Sequence, residues 1–292
     1  MSQKVLVTGA SGGFGKLTVE KLLANGHQVA ATMRNVESRN KDKAEALRNA
    51  GAHIIELDVT NENSVNAAVQ TAIDTMGGLD VVVNNAGVGV LGMQEHFTTE
   101  DWQKLFNINV FGVQRVNRAA LPHMRQNNSG LLLHVSSILG RMALPFYGPY
   151  NASKWALEAM AENYRIELSG FGVDSCIVEP GGYPTTFMDN LITPSDNSRD
   201  AEYGDFMQAP ATLFENFEGA LAANPAQNPQ DVADAIVDVI ETTPGQRPLR
   251  TVVDKMGMGD HINPYNQQLD QLTEGIYGAF GMADMRKLKV HE

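Results

Sequence analysis

The stretch "KVLVTGASGGFGKLTVEKLLANG", residues 4–26, decides how the chain folds. A short β-branched run, "KVLVT" (4–8), passes through a glycine cluster and into a helical pattern starting near Gly13. Glycines let the backbone turn sharply and come close to a pyrophosphate, and a helix start offers unpaired N–H groups at a positive dipole end. Gly9, Gly13 and Gly15 fit the spacing TGxxxGxG, while Gly9, Gly12 and Gly15 fit TGxxGxxG. Spacing alone leaves both patterns open, with Ser11 and Phe14 inside the same loop.

Further strand candidates follow at "QVAAT" (28–32), "HIIEL" (53–57), "LDVVV" (79–83), "LLLHVS" (131–136), "VDSCIVE" (173–179) and "LRTVVD" (249–254). Helical windows begin near Asn40, Asn61, Glu100 and Tyr150, with another at 229–241. Several strand runs are almost continuously apolar, as strands covered on both faces must be. Strand–helix–strand repetition requires right-handed crossovers, so the expected fold is α/β: a doubly wound parallel sheet of the Rossmann type, about seven strands, helices on both faces. No linker or repeat divides the chain, and a single domain over 1–292 is expected. Residues 182–228 form an insert without clean period, read as a lid or binding loop. A carboxyl-terminal extension over about 255–292 reads as partly helical.

Composition narrows the function classes. A net charge of −12 over 292 residues argues against nucleic acid as a partner, because phosphate binding needs a basic face. No run approaches the ~18 apolar residues of a membrane span, and the apolar run at the amino terminus is too short for a signal peptide. The expected location is cytoplasmic. The single cysteine, Cys176, lies in an apolar strand and reads as a small buried hydrophobe. None of the seven histidines pairs at ligand spacing, so no metal site is expected.

The residue that reads a nucleotide's ribose should follow the second strand. There "AATMRN" places Met33 where a carboxylate would select NAD, with Arg34 next to it. A guanidinium forks onto a phosphate, so NADP(H) is expected in preference to NAD(H). Asp58, ending the third strand, could accept from an adenine amino group; Asn85, Ala86 and Gly87 end the fourth, where small residues let a cofactor pass. All these motifs sit at strand carboxyl ends, where ligands of open parallel sheets bind.

"GPYNASKWALEAM" (148–160) puts Tyr150 four residues before Lys154, on one helix face. That pair alone is a weak signal. With TGASGGFG, NNAG and YNASK in this order, however, the chain resembles the short-chain dehydrogenase/reductase family, in its compact, single-domain, NADP-preferring branch, over at least residues 4–186. The resemblance implies that Tyr150, Lys154, Ser137 and Asn109 are catalytic. It also implies that Pro180, Gly181 and Thr185 of "VEPGGYPT" lie beside a nicotinamide. Between neighbouring serines, strand alternation favours Ser137 over Ser136 for the active site.

The chemistry implied is hydride transfer between carbonyl and alcohol, as in a carbonyl reductase, with Tyr150 as general acid and base. Lowering a phenol by about three pH units takes roughly 4 kcal/mol, about what one ammonium at ~4 Å supplies at an effective dielectric near 20. Lys154 is expected to provide it and to hold the ribose. Ser137 would polarise the carbonyl, and Asn109, through its backbone or a water, would link Lys154 to solvent. Leu139, Phe146, Tyr147, Tyr183, Phe187, Met188 and Leu191 are the expected pocket walls, suited to a hydrophobic small-molecule carbonyl or alcohol. The family resemblance also implies a homodimer or homotetramer. Two rival readings are an NADP-binding sensor of the same fold and an epimerase or dehydratase of the extended branch. Retention of both Tyr150 and Lys154 disfavours the first, and NNAG the second.

Overall fold

The computed structural model describes residues 2–290; residue 1 and residues 291–292, the extremes of the expected span and tail, lie outside it. The strands are β1 (Lys4–Val7), β2 (Gln28–Met33), β3 (His53–Glu56), β4 (Val81–Asn84), β5 (Gly130–Val135), β6 (Val173–Pro180) and β7 (Arg250–Val253). They form one seven-stranded parallel sheet in the order β3-β2-β1-β4-β5-β6-β7. The order reverses between β1 and β4, which opens a crevice at their carboxyl ends.

The helices are α1 (Gly13–Ala24), α2 (Lys41–Asn49), α3 (Glu62–Met76), α4 (Thr99–Asn109), α5 (Phe111–Gln126), α6 (Gly148–Leu168), α7 (Asp200–Tyr203), α8 (Ala209–Ala223), α9 (Pro229–Glu241) and α10 (Gly259–Ala279). Strand alternation divides the core into two layers. Val5, Val7, Val29, Leu131 and Leu133 face α1 and α9; Leu6, Ala30, Val82 and Leu132 face α3 and α5. Each such side chain contributes about 1.5–3 kcal/mol on burial, so the strands must stay apolar on both faces.

Local chemistry explains the helix ends. Asn61 accepts from the Ser64 amide to start α3, and Gly77, at φ 67°, stops it in the left-handed conformation. Thr98 and Asp101 form a reciprocal capping box at α4. Asn228 and Pro229 open α9, which spans residues 229–241 as the sequence pattern predicts, with Val232, Ile236 and Ile240 inward.

Two features differ from expectation. The window starting near Glu100 is two helices, broken at Val110, which ends α4 and begins α5. The 182–228 insert is largely helical: a parallel bridge pairs Ile192 with Val90, and α8 lays Phe217 against Gly182. The tail carries a helix of 21 residues, α10. Among the described residues no helix is long and apolar enough to cross a membrane, and no group of three or more His, Cys, Asp or Glu is placed to hold a metal ion.

Candidate active site

A cleft of about 710 Å³ runs along the carboxyl ends of β1, β2, β4, β5 and β6. At its centre, Gly9 and Gly13 adopt φ of 68° and 51°, in the left-handed region where side chains are strained. Gly12 is extended, at φ 179°, and needs no such freedom. A Cβ on Gly15 would run into the Gly9 carbonyl and stand 2.5 Å from Asn85 Nδ2. The geometric demands therefore fall on Gly9, Gly13 and Gly15, the TGxxxGxG reading. Gly12 lacks a capping side chain, so the first amides of α1 are left to the cleft.

Gly15→Ala should therefore overpack by about 1–3 kcal/mol, seen as a Tm lower by several degrees. Gly219→Ala, whose Cβ would meet nothing within 4 Å on α8, should match or exceed wild type in the same thermal melt.

Asn85 clamps the loop: its Nδ2 donates to the Thr8 carbonyl (2.9 Å) and to that of Gly9 (3.2 Å). Ser11, Phe14, Ala86, Gly87, Pro180, Gly181 and Thr185 line the cleft. Gly15 does not; it packs α1 against β1. Asp58 lines the cleft too, with Oδ1 already accepting from the Thr60 amide (2.9 Å) and hydroxyl (2.7 Å). Arg34 faces the β2 end of the cleft, joined by Arg39 and Lys43. The latter two went unread in the sequence, although their four-residue spacing ahead of and into α2 was a usable signal.

At the other end, Tyr150 is nearly buried, edge-to-face with Phe187 at 5.8 Å between ring centroids. Ser137 contacts the phenol, while Ser136 turns behind the site towards Glu158, so alternation separates the two serines as expected. Lys154 stands 5.6 Å from the Tyr150 ring centroid and donates to the Val135 carbonyl at 2.9 Å, rather than to the phenol.

This geometry reverses one electrostatic expectation. Burial pushes the Tyr150 phenol well above its ordinary range, Ser137 opposes that rise, and Tyr147 adds to it. Burial also pulls Lys154 down to about 8, against the pull of Glu158. Desolvation of a fully enclosed group outweighs an ammonium that does not touch the hydroxyl. His134, enclosed beneath Lys154, is lowered to about 3 by burial and by the Lys154 charge, and stays neutral.

Asn109 is the last residue of α4. Its side chain is buried, accepting from the Val88 amide (3.0 Å) and donating to the Val88 carbonyl (2.9 Å) and Ser153 Oγ (3.1 Å). It braces the loop after β4 against α6. Cys176 is buried, its thiol pushed up to about 12 by burial.

The expected pocket walls divide. Leu139, Tyr147, Phe187 and Met188 line the cleft. Phe146 does not: at φ 67° it turns away to pack on Phe206, beside a separate surface hollow. Leu191 packs with Phe187 over Gly89, away from the cleft. Tyr183 reaches the rim but is a core residue, edge-to-face with Phe14 and donating to the Val253 carbonyl. Walls the sequence hid are Met142 and Leu144, from the segment between β5 and α6, and Phe217, Met256 and Met258, brought in by the insert and the tail.

A glycine-lined helix start at a sheet switch point is the arrangement by which open parallel sheets bind dinucleotides. Residues 3–196 match the description "short chain dehydrogenase", and the chain belongs to the short-chain dehydrogenase family of oxidoreductases. It is 38% identical to the 3-ketodihydrosphingosine reductase of Bacteroides thetaiotaomicron over 216 residues, covering 74% of this chain and 77% of that one. Among solved structures it is similar to a short-chain dehydrogenase from Streptomyces avermitilis (TM-score 0.76, 29% identity, 96% of this chain and 98% of that one). It is also similar to ElxO with NADP bound (TM-score 0.68, 26% identity, 88% and 98%). Solved structures of this fold carry NAD or NADP, and a nicotinamide cofactor is common to both sets.

Proposed function

We propose that the protein is an NADP(H)-dependent oxidoreductase of the compact branch that interconverts an apolar ketone or aldehyde and its alcohol, with Tyr150 as general acid and base. The observation that carries this reading is the placement of a buried, protonated phenol and the Lys154 ammonium at one end of a cleft whose other end holds three cations.

The cleft fits the cofactor in sequence. Arg34, Arg39 and Lys43 suit a ribose 2′-phosphate. The α1 amides and the strained Gly9 and Gly13 suit a pyrophosphate. Lys154 suits the hydroxyls of the nicotinamide ribose, with Pro180, Gly181 and Thr185 alongside the ring and Asp58, Ala86 and Gly87 flanking the adenosine half. When bound, NADPH supplies a hydride to the carbonyl carbon. Tyr150 gives its proton to the carbonyl oxygen, and the buried phenol, being protonated at neutral pH, suits that direction. Ser137 orients the same oxygen. Lys154 returns a proton towards the phenolate and stabilises it while it exists. Asn109 holds the loop at Val88 and the α6 turn at Ser153, keeping Lys154 in place.

Leu139, Met142, Leu144, Phe187, Phe217 and Met258 carry no charge, which favours an apolar substrate. The Bacteroides relative, named as a reductase of a keto compound, supports the ketone side. Exposed Phe111 and Trp155, on α5 and α6, support a homodimer or homotetramer; a cytoplasmic location belongs to the same proposal and rests on the composition.

The test is NADPH consumption, followed by absorbance, against aldehydes and ketones graded by size and polarity. Turnover rising with apolar surface is expected. Tight NADPH binding without turnover of any carbonyl would overturn the enzyme reading in favour of a sensor.

A further inference from the structure

Tyr150, Lys154, Glu158 and Glu162 recur at four-residue intervals along one face of α6. The first two face the cleft. The last two run into a buried ionic cluster that the chemistry proposed above does not use.

Arg250, on β7, holds Glu158 Oε2 at 3.1 Å and Glu179 Oε1 at 3.2 Å, and bonds Glu162. Arg141, seven residues before the start of α6, stands 3.9 Å from each of Glu158, Glu162 and Glu179, between the rings of Trp155 and Tyr265. The carboxyl-terminal helix closes the cluster. Asn266 of α10 accepts from Arg141 Nε at 2.9 Å and donates to Glu179 Oε2 at 2.7 Å. Glu158, Glu179, Arg141 and Asn266 are all buried. Gly140 makes room for this arrangement, since a Cβ there would stand 2.9 Å from Glu158 Cγ and 3.0 Å from Ser136 Oγ.

Two guanidiniums face three carboxylates, with the half-exposed Asp270 3.5 Å from Arg250 at the rim, and both guanidiniums favour the ionised form of Glu158 against its burial. The Lys154 ammonium stands one helical turn from Glu158.

We propose that Glu158, locked by Arg250 and Arg141 and tied through Asn266 to the carboxyl-terminal helix, is a positioning residue that keeps Lys154 charged. The proposal rests on Lys154 serving as the ammonium of the site above. A buried carboxylate is costly unless paired, so Glu158 and the ammonium stabilise each other across the turn. The groups facing Lys154 act in opposite directions. Burial lowers it and Glu158 raises it, while its charge in turn keeps His134 neutral. Glu179 is pushed up to about 8 by burial and by Glu158, and the Asn266 amide pulls it back. At this spacing, a carboxylate moves an ammonium's midpoint by about 1–2 pH units at an effective dielectric near 20.

The experiment is a pH titration of ¹³C-lysine-labelled protein by NMR, with the Lys154 signal assigned by its loss in Lys154→Arg, beside pH profiles of kcat/KM for ketone reduction. The expected wild-type midpoint lies near 8. In Glu158→Gln it should fall by at least about one pH unit, and the alkaline limb of kcat/KM should fall with it. Glu158→Asp should restore most of the difference. Asn266→Ala should give a smaller fall in the same direction, because Arg141 then loses the acceptor that holds it beside Glu158; this variant serves if Glu158→Gln does not fold. A Lys154 midpoint unmoved in a folded Glu158→Gln, or unmoved in Asn266→Ala, overturns the proposal. A midpoint that moves in a protein that reduces no ketone supports it and sinks the enzyme reading instead.

Discussion

Tyr150→Phe is expected to lower kcat for ketone reduction by about 10²- to 10⁴-fold while NADPH binding stays within a few-fold of wild type. The ring of Phe would occupy the same space against Phe187, so packing survives and only the proton is removed. The magnitude follows from the enclosure of the site. A carbonyl oxygen gaining negative charge among Leu139, Phe187 and Met142 has little water to draw a proton from. Measured single-turnover rates, with cofactor affinity taken separately by fluorescence, distinguish loss of chemistry from loss of binding. Unchanged turnover in the variant would remove Tyr150 from the mechanism.

The wild-type pH profile carries a sign that can be worked out beforehand. Reduction needs the phenol protonated and Lys154 charged. The phenol is raised, so it keeps its proton throughout the neutral range. Lys154 is lowered to about 8 and is the first of the two to lose its proton as pH rises. Reductive kcat/KM, which reports the free enzyme, should therefore be flat below about pH 8 and fall above it. A limb set by an unperturbed lysine would lie near ~10.4.

The second large effect concerns the cofactor. Arg34→Ala should weaken NADPH about tenfold and leave NADH nearly unchanged. Arg34→Asp should change the NADPH/NADH preference by about a hundredfold, since it removes one charge-assisted contact and adds a repulsion. Because Arg39 and Lys43 line the same end, the loss in Arg34→Ala is partly shared, and each remaining cation makes NADPH affinity fall with added salt. Equal losses for both nucleotides in Arg34→Ala would show that this residue does not read the 2′-phosphate.

Much of this site was legible before folding was considered, and its limits have physical causes. Gly9, Asn85, Ser137, Tyr150 and Pro180 each sit where a strand ends or a helix begins, and those ends are set by short-range pattern. The helix α9 could be read to its final residue because its apolar period, its Asn228 cap and Pro229 agree. Phe146 and Leu191 were placed on the pocket wall by proximity in the chain. A left-handed φ turned the first away, and packing over Gly89 took the second. Neither event has a marker in a neighbouring residue.

By itself, then, the sequence determined the parallel doubly wound sheet and the phosphate loop, through patterns within single elements, while the serine–tyrosine–lysine set was legible through the resemblance to the family. Only the tertiary structure decided which segments roof the cleft, that the Tyr150 phenol is raised rather than lowered, and that the tail reaches α6. Those outcomes depend on burial and on partners far apart in the chain: Asn266 meets Arg141 across 125 residues, and Arg250 meets Glu158 across 92. Desolvation and long-range ion pairing belong to the assembled fold, and no local pattern encodes them.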